Sequence, residues 1–214
     1  MTGLCLHIGC GLIVAENWYN IDASPTLRFS KLPLLGPLVA KTLNLPDWSS
    51  DAHYGNIVKG LNLKPNSCDL IYASHVLEHL SLEDFHTAMD NIYTYLKPAG
   101  VFRAIVPDLE HLIQAYLQDQ QDPELAVQAA GQFMQNSLMG HAGSRKTLLS
   151  RFKESLANNR HQWMWDRPAL KNAFLEQGFK QVHICEYGDW QDSRFAKVEH
   201  PESFIDAFGV EGVK

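Results

Sequence analysis

Two glycines and an aspartate near the start of the chain have the types and spacing of a nucleotide site. Gly9 and Gly11 close the run LCLHIGCG, and Asp22 lies in the next apolar run, YNIDA. Glycine lets a strand end in a sharp turn and approach a ligand without a Cβ. A carboxylate at the neighbouring strand end accepts hydrogen bonds from both hydroxyls of a ribose. These residues predict a nucleoside-binding edge, with an ordinary glycine turn and a turn aspartate as the alternative.

A second group of reactive side chains lies in the letters SHVLEHL, directly after a predicted buried strand. His75, Glu78 and His79 match H-x-x-E-H, in which two histidines on one helical face bind zinc in a hydrolase. Glu110 or His111 would be the third ligand further along the chain. Because the motif follows a strand at the predicted ligand-binding edge, we expect no metal here. A zinc-dependent hydrolase is the less favoured hypothesis.

Histidines near this edge are also candidate general bases. His75 and His161 are predicted to take a proton from a bound acceptor, since histidine titrates near neutral pH. Each can instead be a capping or packing residue. Trp163 and Trp165 can wall a substrate pocket or anchor their segment to the sheet, and Asp166 is expected to cap a helix.

The segments that must position these residues alternate between strand and helix. After the first strand, strands are predicted at Tyr19–Ala23, Asn56–Leu61, Asp69–Ala73, Val101–Val106, Phe179–Glu186 and Phe208–Val213. The first crossover holds only the seven residues LIVAENW, which can span a strand of roughly 17 Å when extended. We therefore predict a parallel return, with an antiparallel hairpin as the alternative. The last strand is expected to run antiparallel to its predecessor.

Helices are predicted where a capping residue precedes an apolar stripe. Ser81 begins one helix, and Asp166 begins another that ends at Gly178. The stretch 108–166 stays helical, with caps at Asp108 and Asp122 and a further helix at about 146–156. A short helix is also expected near 38–43, within an otherwise irregular stretch.

These elements predict an α/β fold class. The expected architecture is a Rossmann-like, seven-stranded, mostly parallel sheet with helices on both faces, an abbreviated first crossover and a helical insertion after strand five. Residues 1–214 are expected to form a single domain, in which 108–166 is a helical lid over the carboxyl edge of the sheet.

Composition narrows the classes of partner. The formal net charge is -6, so no overall positive field attracts nucleic acid, and a small-molecule acceptor is favoured. The four cysteines show no CxxC spacing and are expected to be reduced. Neither a signal peptide nor a membrane span is predicted. We expect a cytoplasmic protein with no membrane partner, and its oligomeric state cannot be inferred from these residues.

Four segments in this order resemble the class I S-adenosyl-L-methionine (SAM)-dependent methyltransferases, in particular a small bacterial-type group with a short first crossover. The segments are LHIGCG, YNIDASP, DLIYASHVLEHL and YLKPAGVFRAIVPD. The resemblance implies a methyltransferase with SAM as cofactor and S-adenosyl-L-homocysteine (SAH) as product. It also implies roles by position: the cofactor-binding residues would include Gly9, Cys10, Gly11, Asp22, Ser74 and His75.

The chain departs from that family at three positions. His7 stands where the family has an acid, Ile13 replaces a third glycine, and Asn62 is the nearest polar residue to the adenine-side acid. The resemblance therefore places His7 and Asn62 in the predicted cofactor set. A non-catalytic binding protein of this fold is the alternative function. A nicotinamide-dependent oxidoreductase is disfavoured, because Asp22 follows Gly11 by eleven residues and not by about twenty.

Overall fold

One sheet of seven strands organises the computed structural model, which describes residues 3–32, 45–140 and 160–214. The strands are β1 (Leu4–Ile8), β2 (Tyr19–Asp22), β3 (Ala52–Tyr54), β4 (Cys68–Ser74), β5 (Leu96–Pro107), β6 (Lys180–Cys185) and β7 (Ala207–Val213). Their order across the sheet is β3-β2-β1-β4-β5-β7-β6. Strands β1 to β5 pair in parallel, and β7 runs antiparallel to both β5 and β6. The predicted fold class is confirmed.

Five α-helices surround this sheet within the described ranges. They are α1 (Pro25–Ser30), α2 (Leu82–Tyr95), α3 (Leu109–Asp119), α4 (Pro123–Asn136) and α5 (Arg167–Gln177). Each of the helices α2 to α5 is preceded by a capping residue whose side chain accepts a backbone N–H of the first turn. These residues are Ser81, Asp108, Asp122 and Asp166. Helix α5 ends at Gly178 in the left-handed conformation, with φ 102°. The predicted caps are confirmed.

The short first crossover returns in parallel, so the hairpin alternative is wrong. Leu6 pairs with Tyr19 and Ile8 with Ile21. The side chain of Asn20, 1% exposed, accepts from the backbone N–H of Ala15 and donates to two backbone carbonyls of the same loop. One buried amide thus satisfies three backbone groups of a crossover that contains no helix.

The third strand lies earlier than predicted. It is β3, whereas residues 57–59 form a turn and no strand is present at 56–61, so the prediction of a strand at Asn56–Leu61 is wrong. The side chain of Asn56 accepts from the backbone N–H groups of Val58 and Lys59, and such local bonds compete with a strand. Helix α1 was not predicted, although Pro25 at its first turn favours a helix start. The short helix predicted near 38–43 lies outside the described residues.

Both faces of the sheet are covered by apolar side chains. On one face, Leu6, Ile71 and Phe102 of the central strands form a cluster with Phe85 of α2 and Phe174 of α5. The opposite face packs a second cluster that includes Cys5, Trp18, Tyr72, Ile105 and Phe195. All four cysteines are buried and unpaired, in agreement with the prediction of reduced thiols.

The segment after β5 begins as a pair of helices. Helices α3 and α4 pack together, with the rings of Tyr116 and Phe133 6.0 Å apart. Asp108 forms a parallel bridge with Trp165, so the two ends of the 108–166 segment meet at the sheet. The third predicted helix at 146–156 lies outside the described residues, and the lid remains a prediction. None of the helices in the described ranges is long and apolar enough to cross a membrane.

Candidate functional site

A cavity of about 260 Å³ opens at the carboxyl ends of strands β1 to β4. Residues 8–9, 22–25, 55–58, 75–76 and 79–80 line it. The first four of these segments follow a strand or begin at its last residue, and residues 79–80 end the short 3₁₀ turn after β4. Ligands of open α/β sheets bind at this edge, so the cavity is the candidate site. Of the predicted residues, Gly9, Asp22 and His75 are among its lining.

The glycine loop depends on glycine at both positions. Gly9 and Gly11 have φ values of 69° and 54°, a region that other residues rarely adopt. A Cβ on Gly9 would lie 2.3 Å from Cγ2 of Val76, whereas no described atom lies within 4 Å of the corresponding point at Gly11. Glycine is therefore required at position 9 by the neighbouring Val76 side chain, whereas at Gly11 the loop faces open space.

Asp22 joins the end of β2 to the glycine loop. Its Oδ2 accepts from the backbone N–H of Gly11 at 3.0 Å, and its Oδ1 accepts from that of Ser24 at 2.7 Å. Each carboxylate oxygen retains a second acceptor position. Because Asp22 also lines the cavity, it can hold the loop and accept hydrogen bonds from a bound diol at the same time.

His7 and Cys10 lie behind the cavity and are not part of its lining. The Nδ1 of His7 is 3.1 Å from Oδ1 of Asn20, and its ring packs 5.4 Å from that of Tyr72. Burial lowers the pKa of His7 to about 4, so its ring is neutral near pH 7. Burial likewise raises the pKa of the Cys10 thiol to about 12. Both side chains pack beneath the loop.

Asn56 and not Asn62 reaches the candidate cavity. Asn62 lines a neighbouring cavity of about 320 Å³, which shares Gly55 and Asn56 with the first. Asn56 follows β3 by two positions, and it was missed because the third strand was predicted too late. Ser74, at the end of β4, is not among the lining residues, and its buried Oγ has no hydrogen-bond partner among the described residues.

His75 adopts a strained backbone conformation at the end of β4. Its φ is 53°, and such residues cluster at functional sites because the surrounding structure must hold them. Its backbone N–H donates to Ile105, and its Nε2 donates to the carbonyl of Ser203 at 3.0 Å. Its Nδ1 lies 3.4 Å from Oε1 of Glu78. Burial works against protonation, but the nearby carboxylate of Glu78 raises the pKa of His75.

Three histidines converge on the fully buried carboxylate of Glu78, which is 0% exposed. Beyond His75, Nε2 of His161 lies 3.8 Å and Nε2 of His79 4.0 Å from the same Oε1. The structure therefore brings both predicted catalytic histidines to one acid. Among the described residues, neither oxygen of Glu78 has a hydrogen-bond partner. Burial lowers the pKa of His161.

The H-x-x-E-H motif does not lie on one helical face, so that prediction is wrong. His75 precedes the motif's only helical turn, a 3₁₀ helix over Leu77–His79. The predicted third ligands also lie elsewhere: His111 pairs with exposed Asp206, and Glu110 accepts from Gln114. His161 lies beside Glu78 and His79 instead, and it comes from a segment that no local pattern relates to the motif.

The two tryptophans of this segment have different surroundings. Trp165 is 4% exposed and packs its ring 4.5 Å from that of Phe85. Trp163 is 42% exposed. Neither is among the residues that line the cavity. Asp166 caps α5, which agrees with the packing interpretation of this stretch.

Comparison with known proteins assigns this chain to a family. Residues 15–184 match the model of a family described as a methyltransferase domain. No curated protein matches the sequence significantly.

Solved structures to which this chain is similar include the following methyltransferases. One from Archaeoglobus fulgidus, described as SAM dependent, shares 15% identity over 100% of this chain and 86% of that chain, with a TM-score of 0.46. The 1,6-didemethyltoxoflavin-N1-methyltransferase of Burkholderia thailandensis, solved with SAH, shares 12% identity over 100% and 71%, with a TM-score of 0.49. Phosphoethanolamine N-methyltransferase 2 of Haemonchus contortus, solved with SAM, shares 14% over 100% and 49%, also at 0.49.

Proposed function

The chain belongs to the methyltransferase-domain family, and from this premise we propose that it transfers a methyl group from SAM, held at the carboxyl edge of the sheet, to a small-molecule acceptor. Family membership confirms the resemblance to class I SAM-dependent methyltransferases, and with it an enzyme that uses SAM. The observation that carries the proposed site is the cavity in which Asp22 and the glycine loop meet.

The lining residues fit the cofactor. Asp22 presents acceptor positions for the ribose hydroxyls, as its bonds to Gly11 and Ser24 use only one position on each oxygen. On the far side, Ile57 and Val58 offer apolar contacts to an adenine. The capping bonds of Asn56 use its Oδ1, which leaves its Nδ2 as a donor toward a ring nitrogen.

Methyl transfer requires the protein chiefly to align the acceptor with the methyl group of SAM. SAM supplies an electrophilic methyl group on a sulfonium, and in-line displacement needs the acceptor to be held on the opposite side. His75 lines the cavity and is fixed by Ser203 and Glu78, so its ring forms a fixed wall beside which an acceptor can lie. Both of its ring nitrogens are engaged in this arrangement. A base role for His75 therefore requires its ring to turn away from Ser203.

A small-molecule acceptor is supported by the charge of the site. None of the described residues lining the cavity is Lys or Arg, and the chain carries a formal net charge of -6. Nucleic-acid substrates are held chiefly by cationic side chains on phosphates. An acceptor with little negative charge fits these surroundings better.

Calorimetry with SAH tests the proposed site. Asp22→Ala removes a charged acceptor, and we expect its affinity to fall by about 1.5 to 3 kcal/mol, or roughly tenfold to a hundredfold. Asp51→Asn, an exposed acid at the entry to β3, is the matched control and should bind as the wild type does. Unchanged affinity in Asp22→Ala would remove Asp22 from the site. Wild-type protein that binds no SAH would overturn the whole proposal.

A further inference from the structure

The buried cluster behind the cavity carries a separate inference: we propose that Glu78, His79 and His161 bind a divalent transition-metal ion, with zinc as the reference ion. One oxygen or nitrogen atom from each of the three residues lies within 4.8 Å of the others. The proposal stands on the contacts of these side chains and does not depend on where SAM binds.

The first observation is that Glu78 is buried without hydrogen bonds. Its carboxylate is fully buried, and within the described residues both oxygens lack a hydrogen-bond partner. All of its ion-pair neighbours in that part of the chain are histidines. A buried carboxylate without hydrogen bonds is unstable unless a positive charge lies beside it. The charge of Glu78 must therefore be balanced by a positive charge, either on a protonated imidazole or on a metal ion.

The second step is the tautomer of His79. Its Nδ1 lies 3.0 Å from the backbone carbonyl of Arg160, and a carbonyl only accepts, so Nδ1 carries the hydrogen. In the neutral ring Nε2 then presents its lone pair, and this atom faces Oε1 of Glu78 at 4.0 Å. Two acceptors that face each other repel unless a cation lies between them. A far N–H bonded to a backbone carbonyl is also how metal-binding histidines are usually oriented.

The third step is the shape and donor set of the cluster. Nε2 of His161 lies 3.8 Å from the same oxygen, and the rings of His79 and His161 meet edge to face at 4.9 Å. Bonds of about 2.0 to 2.2 Å in a tetrahedral site separate donors by roughly 3.4 Å. Small rotations of the side chains close that difference. Two imidazoles and one carboxylate are the donors of open zinc sites, which leave a fourth position for water or substrate.

The backbone already holds the two ligand segments together. The carbonyl of Glu78 accepts from the N–H groups of Gln162 and Trp163, at 2.7 Å and 3.2 Å, and the Gln162 side chain donates to the carbonyl of His79. His79 also lines the cavity. An ion at this position would tie the chain that returns to the sheet before α5 to the end of β4, beside the proposed methyl donor.

Metal analysis of the full-length protein, prepared without a polyhistidine tag, tests the proposal. The protein is stripped with chelator, dialysed against a low concentration of zinc that still exceeds the protein, dialysed again without zinc and analysed by elemental mass spectrometry. We expect one zinc per chain, and on replacement by cobalt(II) the visible absorption of a low-coordinate nitrogen and oxygen site. His79→Ala and Glu78→Gln should each weaken binding at least tenfold. His111→Ala and His183→Ala, which change histidines outside the cluster, should keep the metal.

The outcomes are decisive even if a variant folds poorly. Wild-type protein that retains well under a tenth of a zinc per chain, with no cobalt spectrum, means that protons alone neutralise the cluster, and it overturns the proposal. Metal that survives in both His79→Ala and Glu78→Gln also overturns it. SAH calorimetry on the same samples is the independent readout. Normal SAH binding without metal refutes the metal site only, and metal without SAH binding refutes the cofactor site only.

Discussion

Two side-chain clusters built around buried carboxylates can be compared in the described part of this molecule, and their carboxylates have opposite surroundings. The side chains of Arg103, Glu199 and Glu211 are 0% exposed, and the guanidinium of Arg103 donates to both acids, to Asp189 and to the carbonyl of Glu186. Glu78 is just as buried, yet its oxygens face only imidazoles and accept no hydrogen bond in the described structure. The Arg103 cluster, here called the closed cluster, satisfies its own hydrogen bonds and stabilises the fold. The Glu78 cluster, here called the open cluster, lacks such bonds and marks a candidate binding site.

The largest expected effect comes from breaking the closed cluster. Arg103→Met leaves Glu199 and Glu211 buried beside an apolar side chain, and we expect the free energy of unfolding to fall by up to about 5 kcal/mol. Urea unfolding followed by circular dichroism measures it. Arg194→Met, which breaks the partly exposed pair with Asp192, is the control and should cost about 1 kcal/mol or less. Similar losses for the two variants would contradict the distinction.

The next effect concerns the anchor of the open cluster. Trp165 packs on Phe85 and lies four residues after His161. We expect Trp165→Ala to lower the free energy of unfolding by about 3 to 4 kcal/mol through the cavity it leaves. Trp163→Ala removes a 42% exposed ring and should cost well under half as much. If Trp163 proved the costlier change, the segment would be anchored by its exposed side instead.

A third buried group, His7, should make the free energy of unfolding depend on pH. Its folded-state pKa of about 4 lies below the value near 6.5 of an unfolded chain. Between these values the unfolded state binds a proton that the native state does not, so stability falls as the pH is lowered. We expect wild type to lose about 3 kcal/mol more than His7→Gln over that window. Parallel pH profiles of the two proteins, measured by urea unfolding, would show that His7 is not buried neutral.

The smallest expected effect has the opposite sign. In metal-free protein, Glu78→Gln removes a buried charge that no hydrogen bond offsets, and we expect stability to stay level or to rise by about 1 kcal/mol. Glu211→Gln in the closed cluster is the matched control and should be destabilised, because Arg103 loses a charged partner. Thermal unfolding in the presence of chelator compares the two. A clear loss in Glu78→Gln would mean that Glu78 is already neutralised by protein groups.

The sequence alone was a good guide to the elements and a partial guide to the site. Alternating apolar residues located β4 and β5, and capping residues located the starts of α2 to α5, because these signals act within a few residues. Gly9 and Asp22 were also identified correctly as neighbours, since consecutive parallel strands bring their carboxyl ends together. The prediction of Asn62 depended on a strand at Asn56–Leu61, and that strand is absent because the side chain of Asn56 caps its own turn.

What the sequence by itself determined is therefore the positions of β4 and β5, the starts of α2 to α5, the parallel return of the first crossover and the meeting of Gly9 and Asp22 at one edge of the sheet. Only the tertiary structure decided that His161 meets Glu78 and His79, and that Arg103 is enclosed by Glu199 and Glu211. These partners are about eighty to more than a hundred positions apart. No local period or cap encodes such a meeting, because it depends on how the elements pack once the sheet has formed.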